Sequence, residues 1–167
     1  MRNIVFGILC IVFAVISCKR EDDDSLQRID QILNIYMKSS TNPDLLNSKR
    51  AGSYTGYSVN DLLGDKDISP VTIPLKMTTD SIFYMEYISG AKRRKFDSAG
   101  TTYYSRMQLT LNKTVNNATQ STLDTIEIRY RNTPLAFQVS QVLYNRKLMF
   151  SKDAGAPNSI NVVTITK

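Results

Sequence analysis

Thr102-Tyr103-Tyr104-Ser105-Arg106-Met107-Gln108-Leu109-Thr110-Leu111 alternates apolar and polar side chains almost position by position. Successive residues of a strand point to opposite faces, so this spacing puts Tyr103, Met107, Leu109 and Leu111 inward and Tyr104, Arg106 and Gln108 outward. Leu123 to Tyr130 repeats the pattern, with Ile126, Ile128 and Tyr130 inward and Glu127 and Arg129 outward. Leu135 to Tyr144 reads as a third strand facing the core with Leu135, Phe137, Val139 and Leu143.

The same period runs through the rest of the chain from Gly52 onward. Val71 to Met77 places Val71, Ile73, Leu75 and Met77 on one face, and Pro74, which lacks an N–H, marks it as an edge strand. Ser81 to Ile88 is apolar on both faces and reads as a central strand, in which Glu86 is a buried carboxylate facing Arg106 or Arg129. Tyr54–Val59, Lys147–Phe150 and Ile160–Thr166 add shorter strands. The connections carry turn residues: Ser89-Gly90, Asp97-Ser98-Ala99-Gly100, Asn116-Asn117, Asn132-Thr133-Pro134 and Ala154-Gly155-Ala156-Pro157. Roughly seven or eight such strands with no helix between them predict a mostly β fold, an antiparallel β-sandwich with a β-barrel as the alternative. Residues 44–167 form this domain.

One segment departs from the pattern. Leu26, Ile29, Ile32, Leu33 and Tyr36 follow helical spacing. Ser25 is a good N-cap, and Asp22–Asp24 complement a helix N-terminus. A single N-terminal helix is expected from Ser25 to about Ser39, with a turn-rich linker to Pro43.

The extreme N-terminus carries the address. Met1-Arg2-Asn3 is followed by an uncharged apolar run from Ile4 to Ile16. That is the length of a signal-peptide core, well short of the roughly 20 residues a spanning helix needs. The run ends in Val15-Ile16-Ser17-Cys18, an aliphatic residue and a small one directly before cysteine. This resembles the lipobox of bacterial lipoproteins, in which signal peptidase II cuts before a cysteine that already carries diacylglycerol. The resemblance implies a signal peptide at 1–17, lipid on Cys18 and a tether at 18–25. Each buried methylene contributes about 0.8 kcal/mol, so two or three acyl chains hold the protein at the membrane. Lys19-Arg20-Glu21-Asp22-Asp23-Asp24 then resembles the acidic surface-export signal of lipoproteins from the Bacteroidetes group. It implies an outer-membrane protein at the cell surface, with the periplasmic face as the alternative. Proteins of that group are O-glycosylated at Asp-(Ser/Thr)-(aliphatic, Ala or Thr), and four such tripeptides mark Ser25, Ser81, Ser98 and Thr125. Asn112-Lys-Thr and Asn117-Ala-Thr fit the N-glycosylation pattern, but that machinery is not expected here, and both read as loop residues.

Composition narrows the function. Cleavage leaves about 150 residues, enough for one domain with a real core. It also leaves one cysteine, the lipidated one, so no internal disulfide forms. Histidine is absent, which removes Ser-His-Asp and Cys-His nucleophiles, histidine bases and His-ligated zinc. No Gly-rich phosphate loop is present. The reading is therefore a non-catalytic protein without a cofactor. Three of the 21 basic and four of the 15 acidic side chains lie in residues 1–25, which leaves the rest at 18 against 11, about +7. Such a domain attracts anionic partners; an envelope address sets nucleic acid aside.

Three clusters are candidate sites. Lys92-Arg93-Arg94-Lys95 is the densest positive charge and would suit an anionic ligand, or else protect a hairpin from aggregation. Tyr54, Tyr57 and Tyr104 are placed for partial exposure, where rings can stack on sugars. Asp61, Asp65 and Asp67 offer oxygen ligands without the spacing of a calcium loop. The expected function is a surface binding module for a glycan or protein, serving nutrient uptake or adhesion. The alternative is an assembly lipoprotein that partners an outer-membrane complex.

Overall fold

The computed structural model describes residues 27–167. The expected signal peptide, Cys18, the Lys19–Asp24 run and Ser25 lie outside the described residues. From Arg28 on, the chain forms β1 (Arg28–Asp30), β2 (Leu33–Lys38), β3 (Gly56–Asp61), β4 (Leu75–Met77), β5 (Phe83–Tyr87) and β6 (Arg94–Lys95). Then follow β7 (Thr102–Val115), β8 (Ala118–Asn132), β9 (Ala136–Tyr144), β10 (Lys147–Ser151) and β11 (Asn161–Thr166).

These strands make two sheets. The larger runs β1-β9-β8-β7-β3, with β10 continuing the β1 edge along β9 and β6 continuing the β3 edge along β7. The smaller runs β11-β2-β5-β4. One hydrophobic cluster draws on both: Met107, Leu109, Ile126, Ile128, Tyr130 and Val139 from the larger sheet, and Leu33, Ile35, Met85, Tyr87, Val163 and Ile165 from the smaller. Full burial of each such aliphatic side chain contributes about 1.5–3 kcal/mol. The fold is mostly β, as the alternation predicts.

The N-terminal helix is corrected. No helix occurs among the described residues, and the expected helical segment holds β1 and β2 instead. Leu33, Ile35 and Met37 are buried while Ile29 and Ile32 are exposed, a period of two where 3.6 was expected. Pairing decides the matter: β1 lies parallel to β9, and β2 is held between β11 (parallel) and β5 (antiparallel). The two parallel pairs also depart from an all-antiparallel arrangement. Only Gln31 and Ile32 separate β1 from β2, so the chain crosses between sheets within two residues. The crossing is fastened by a buried group. Lys152 Nζ lies 2.5 Å from Asp30 Oδ2 and 3.1 Å from Asn161 Oδ1, and Asn161 Nδ2 donates to Asp30 Oδ1 at 2.9 Å.

Inward residues of β7 and β8 fall as expected, and the hairpin is longer than the alternation suggested. Asn116 and Asn117, at φ 50° and 60°, make a tight two-residue turn of the kind that matches strand twist. Asn112 accordingly sits in β7 and not in a loop. In β9 the alternation slips. Tyr130 pairs with Val139 but Arg129 with Gln141, so Ser140 is an extra residue in a bulge. Beyond it Val142 and Tyr144 are buried, not Leu143, and at the strand's start Leu135 is exposed. In the Val71–Met77 segment, Val71 and Ile73 are buried. Leu75 and Met77 are exposed in β4, which is an edge strand as Pro74 implied.

The inward row of β8 begins at Asp124, whose carboxylate closes one end of the core. Burial would raise its pKa. The hydrogen bonds from Lys167 Nζ and Asn145 Nδ2, each at 2.6 Å, outweigh burial and hold it below the 3.8 of a free aspartate. A depressed carboxylate contributes stability above its unfolded pKa, and the contribution vanishes as pH falls through the folded one. Asp124→Asn should therefore melt below wild type at neutral pH, and the two melting curves should converge as pH falls below 3.8 and on through the lower folded value. A gap that persisted in acid would locate the effect elsewhere.

Candidate functional site

The outer face of the larger sheet carries the most organised polar array among the described residues. Alternation along β7 and β8 places Tyr104 and Arg106 beside Glu127, Arg129 and Arg131, because the residues between them fill the core. Arg106 pairs with Glu127 in the strand register. Arg94 of β6 stands opposite Tyr104, and Arg146 comes from the β9–β10 turn. Five arginines thus lie on one face, with Glu127 among them and Asp153 at its margin.

The side chains hold one another in place. Arg106 donates from Nε and Nη2 to Glu127 Oε2 at 3.0 and 2.6 Å. Arg129 Nε reaches Glu127 Oε1 at 2.9 Å, and its Nη1 reaches Gln141 Oε1 at 3.2 Å. The Arg129 guanidinium lies 4.7 Å from the Phe96 ring centre and that of Arg106 lies 5.5 Å from Tyr104. Phe96 and Tyr104 meet edge to face at 5.9 Å. Burial would raise the Glu127 pKa, yet the two arginine hydrogen bonds outweigh it and hold the carboxyl below its usual range. Glu127 therefore stays ionised at neutral pH and fixes two guanidinium planes without neutralising the face.

Two clefts open beside Arg129. One, of about 390 Å³, is lined by Arg106, Thr125, Glu127, Arg129, Leu143 and Arg146. The other, of about 270 Å³, runs past Phe96, Arg131, Gln141 and Asp153. Arg131 Nη1 beside it is buried and has no hydrogen-bond partner. An unmet donor of this kind costs about 1–3 kcal/mol, more when charged, and favours any acceptor that reaches it. Planar guanidinium groups suit the two-oxygen edge of a carboxylate or sulfate.

The Lys92–Lys95 run does not form one patch. Lys92 pairs with Asp65, and its backbone N–H donates to Asp61 Oδ2 at 2.6 Å. Arg93 folds over Tyr130 and Phe137 at 5.0 and 4.9 Å and donates to Gln31. Arg94 alone joins the outer array, while Lys95 pairs across to Tyr103. The anionic-ligand surface is instead assembled from residues distant in sequence. Alternation places Arg106 and Arg129 outward, but they do not face Glu86, which lies on the smaller sheet, half-buried, on a face the larger sheet does not share.

The other candidates separate too. Asp61 also accepts from the Leu63 N–H, Asp65 holds Lys92, and no group of acidic residues is placed to hold a metal among the described residues. Tyr54 and Tyr57 pack against the core, with the Tyr57 hydroxyl donating to the Ile73 carbonyl at 2.6 Å; Tyr104 is the one of the three in the array. Ser81 and Ser98 are exposed in turns. The Thr101 hydroxyl and N–H bind Asp97 and pull its pKa down to about 2, which ties the Ser98 turn at its base. Thr125 sits within β8, with Asn145 accepting from its N–H at 2.7 Å. No described helix is long and apolar enough to cross a membrane.

Compared with known proteins, the chain matches no family model, no curated protein and no solved structure.

Proposed function

We propose that this protein is a lipid-anchored, surface-exposed outer-membrane lipoprotein whose β-sandwich is a non-catalytic binding module for acidic polysaccharide. The address rests on the Val15–Cys18 motif and the acidic run after it. The ligand class rests on one observation: five arginines on a single sheet face, two of them held by Glu127 and stacked on Phe96 and Tyr104. A polymer bearing a carboxylate or sulfate on each sugar meets several guanidinium groups at once, and the aromatic rings offer apolar surface to the sugars between them. Residues two apart on a strand are about 7 Å apart, so Arg129 and Arg131 can hold neighbouring anionic groups.

The mature protein in detergent, titrated calorimetrically with polygalacturonate and with dextran sulfate, tests the ligand class. We expect binding to at least one that weakens as salt screens the charges. The pair Arg131→Gln and Arg146→Gln, which line the two clefts without bonding Glu127, should weaken it at least tenfold while the melting temperature stays near wild type. Salt-independent binding, or affinity unchanged in that pair, would overturn the reading. Protease shaving of intact cells and mass spectrometry of Cys18 test the address separately: protection of the domain would place it on the periplasmic side, and an unmodified Cys18 would remove the anchor.

A further inference from the structure

The outer face of the smaller sheet carries a second, chemically different surface. Ile35 and Met85 are fully buried, so their neighbours Tyr36 and Tyr84 point away from the core. Their rings stack at 5.3 Å and 30°. The register extends this pair into a row across all four strands: Thr164 lies opposite Tyr36, and Lys76 opposite Tyr84. At about 4.8 Å per strand, the row spans about 14 Å, room for a short oligosaccharide.

The row beside it supplies acceptors. Asn34 pairs with Glu86 and faces the same way. Asn34 Oδ1 is buried and receives no hydrogen bond. The Glu86 carboxylate has no ion pair or side-chain hydrogen bond among the described residues; its backbone N–H donates to the Pro74 carbonyl. A buried carbonyl without a donor is costly, and the terminal torsion of an amide is soft enough to turn it toward one. Lys76 and Glu86 are of opposite sign, so this face has no field that selects anions. What it lacks is hydroxyl donors around the stacked aromatic pair, which keeps an outer ring face free.

A pyranose supplies both: an apolar face of axial C–H groups that lies on a ring, and equatorial hydroxyls that donate sideways. We infer that the Tyr36–Tyr84 pair, with Asn34 and Glu86 beside it, is a binding platform for a neutral oligosaccharide. It is separate from the arginine face, lies on the other sheet and does not depend on charge.

The test is saturation-transfer NMR and calorimetry on the mature protein with cellohexaose, mannohexaose and xylohexaose, in about 0.5 M NaCl, where surface electrostatics are screened to within roughly 4 Å. At least one should bind at millimolar concentration or better, with the strongest transfer to axial ring protons. Tyr84→Ala should weaken it at least tenfold, Tyr84→Phe should retain it, and Glu86→Gln should weaken it severalfold. Arg129→Gln should leave it unchanged, which separates this site from the arginine face. Should Tyr84→Ala fail to fold, Tyr84→Phe and Glu86→Gln still decide. The inference is overturned if none of the three sugars binds, if folded Tyr84→Ala or Glu86→Gln binds as wild type does, or if Arg129→Gln abolishes binding.

Discussion

Asp30→Ala should cost about 3–5 kcal/mol of folding stability, because it strands the Lys152 ammonium in a site it cannot leave. The ion pair is almost completely shielded, with side-chain exposures of 7% for Lys152 and 3% for Asp30. The Asp30 carboxylate also accepts from Asn161 Nδ2, so the substitution breaks two bonds and leaves the buried ammonium with only the neutral oxygens of Asn161 and Ser159. Its place explains the size of the effect. Asp30 ends β1 in the larger sheet, Lys152 follows β10 in that sheet, and Asn161 begins β11 in the smaller one. A domain of this size is stable by about 5–15 kcal/mol, so a substantial part of the total is at stake. Urea unfolding followed by circular dichroism measures it. The double substitution Asp30→Leu with Lys152→Met should recover much of the loss, since apolar replacement of a whole buried pair is often tolerated. A loss below about 1 kcal/mol in the single variant would show that the clasp is solvated.

Ile35→Ala should destabilise by about 2–5 kcal/mol, whereas Ile29→Ala should stay within about 0.5 kcal/mol. Ile35 is fully buried at the middle of β2, between Val163 of β11 and Met85 of β5. Truncation removes buried carbon atoms and leaves a cavity bounded by two paired strands that cannot collapse into it. Ile29 is 64% exposed on β1 and has little burial to lose. The contrast separates the two readings of this segment. On a helix with an apolar stripe, Ile29, Leu33 and Tyr36 would share the buried face, and Ile29→Ala would hurt while Ile35→Ala would not. Equal losses at both positions would contradict the strand assignment.

Much of the β domain is legible because its physics is local. A residue's face follows from a period of two once a strand is recognised, and Met107, Leu109, Ile126 and Ile128 are buried as alternation requires. The turns follow from Asn-Asn and from Gly, which adopt positive φ at little cost. The β9 bulge is not local. Ser140 is inserted to suit the partner strand, and every side chain beyond it changes face, so Leu143 and Val142 exchange roles.

The N-terminal segment shows the limit most clearly. Its apolar residues satisfy two periods: Ile29, Leu33 and Tyr36 match a helix, while Leu33, Ile35 and Met37 match a strand. The choice depends on the open edges of β9, β11 and β5, whose backbone groups gain partners only if this segment is extended. Those strands begin dozens of residues later. The two surfaces of interest have the same origin. Arg94, Arg106, Arg129, Arg131 and Arg146 are scattered through the chain, as are Tyr36 and Tyr84, and neither set is a motif. Residue type and near neighbours suffice for the alternation, most turns, the absence of histidine chemistry and the N-terminal motif read as an anchor. The tertiary structure decided which strands are neighbours, and therefore which distant side chains share a face, because pairing is set by long-range backbone hydrogen bonds and a common core.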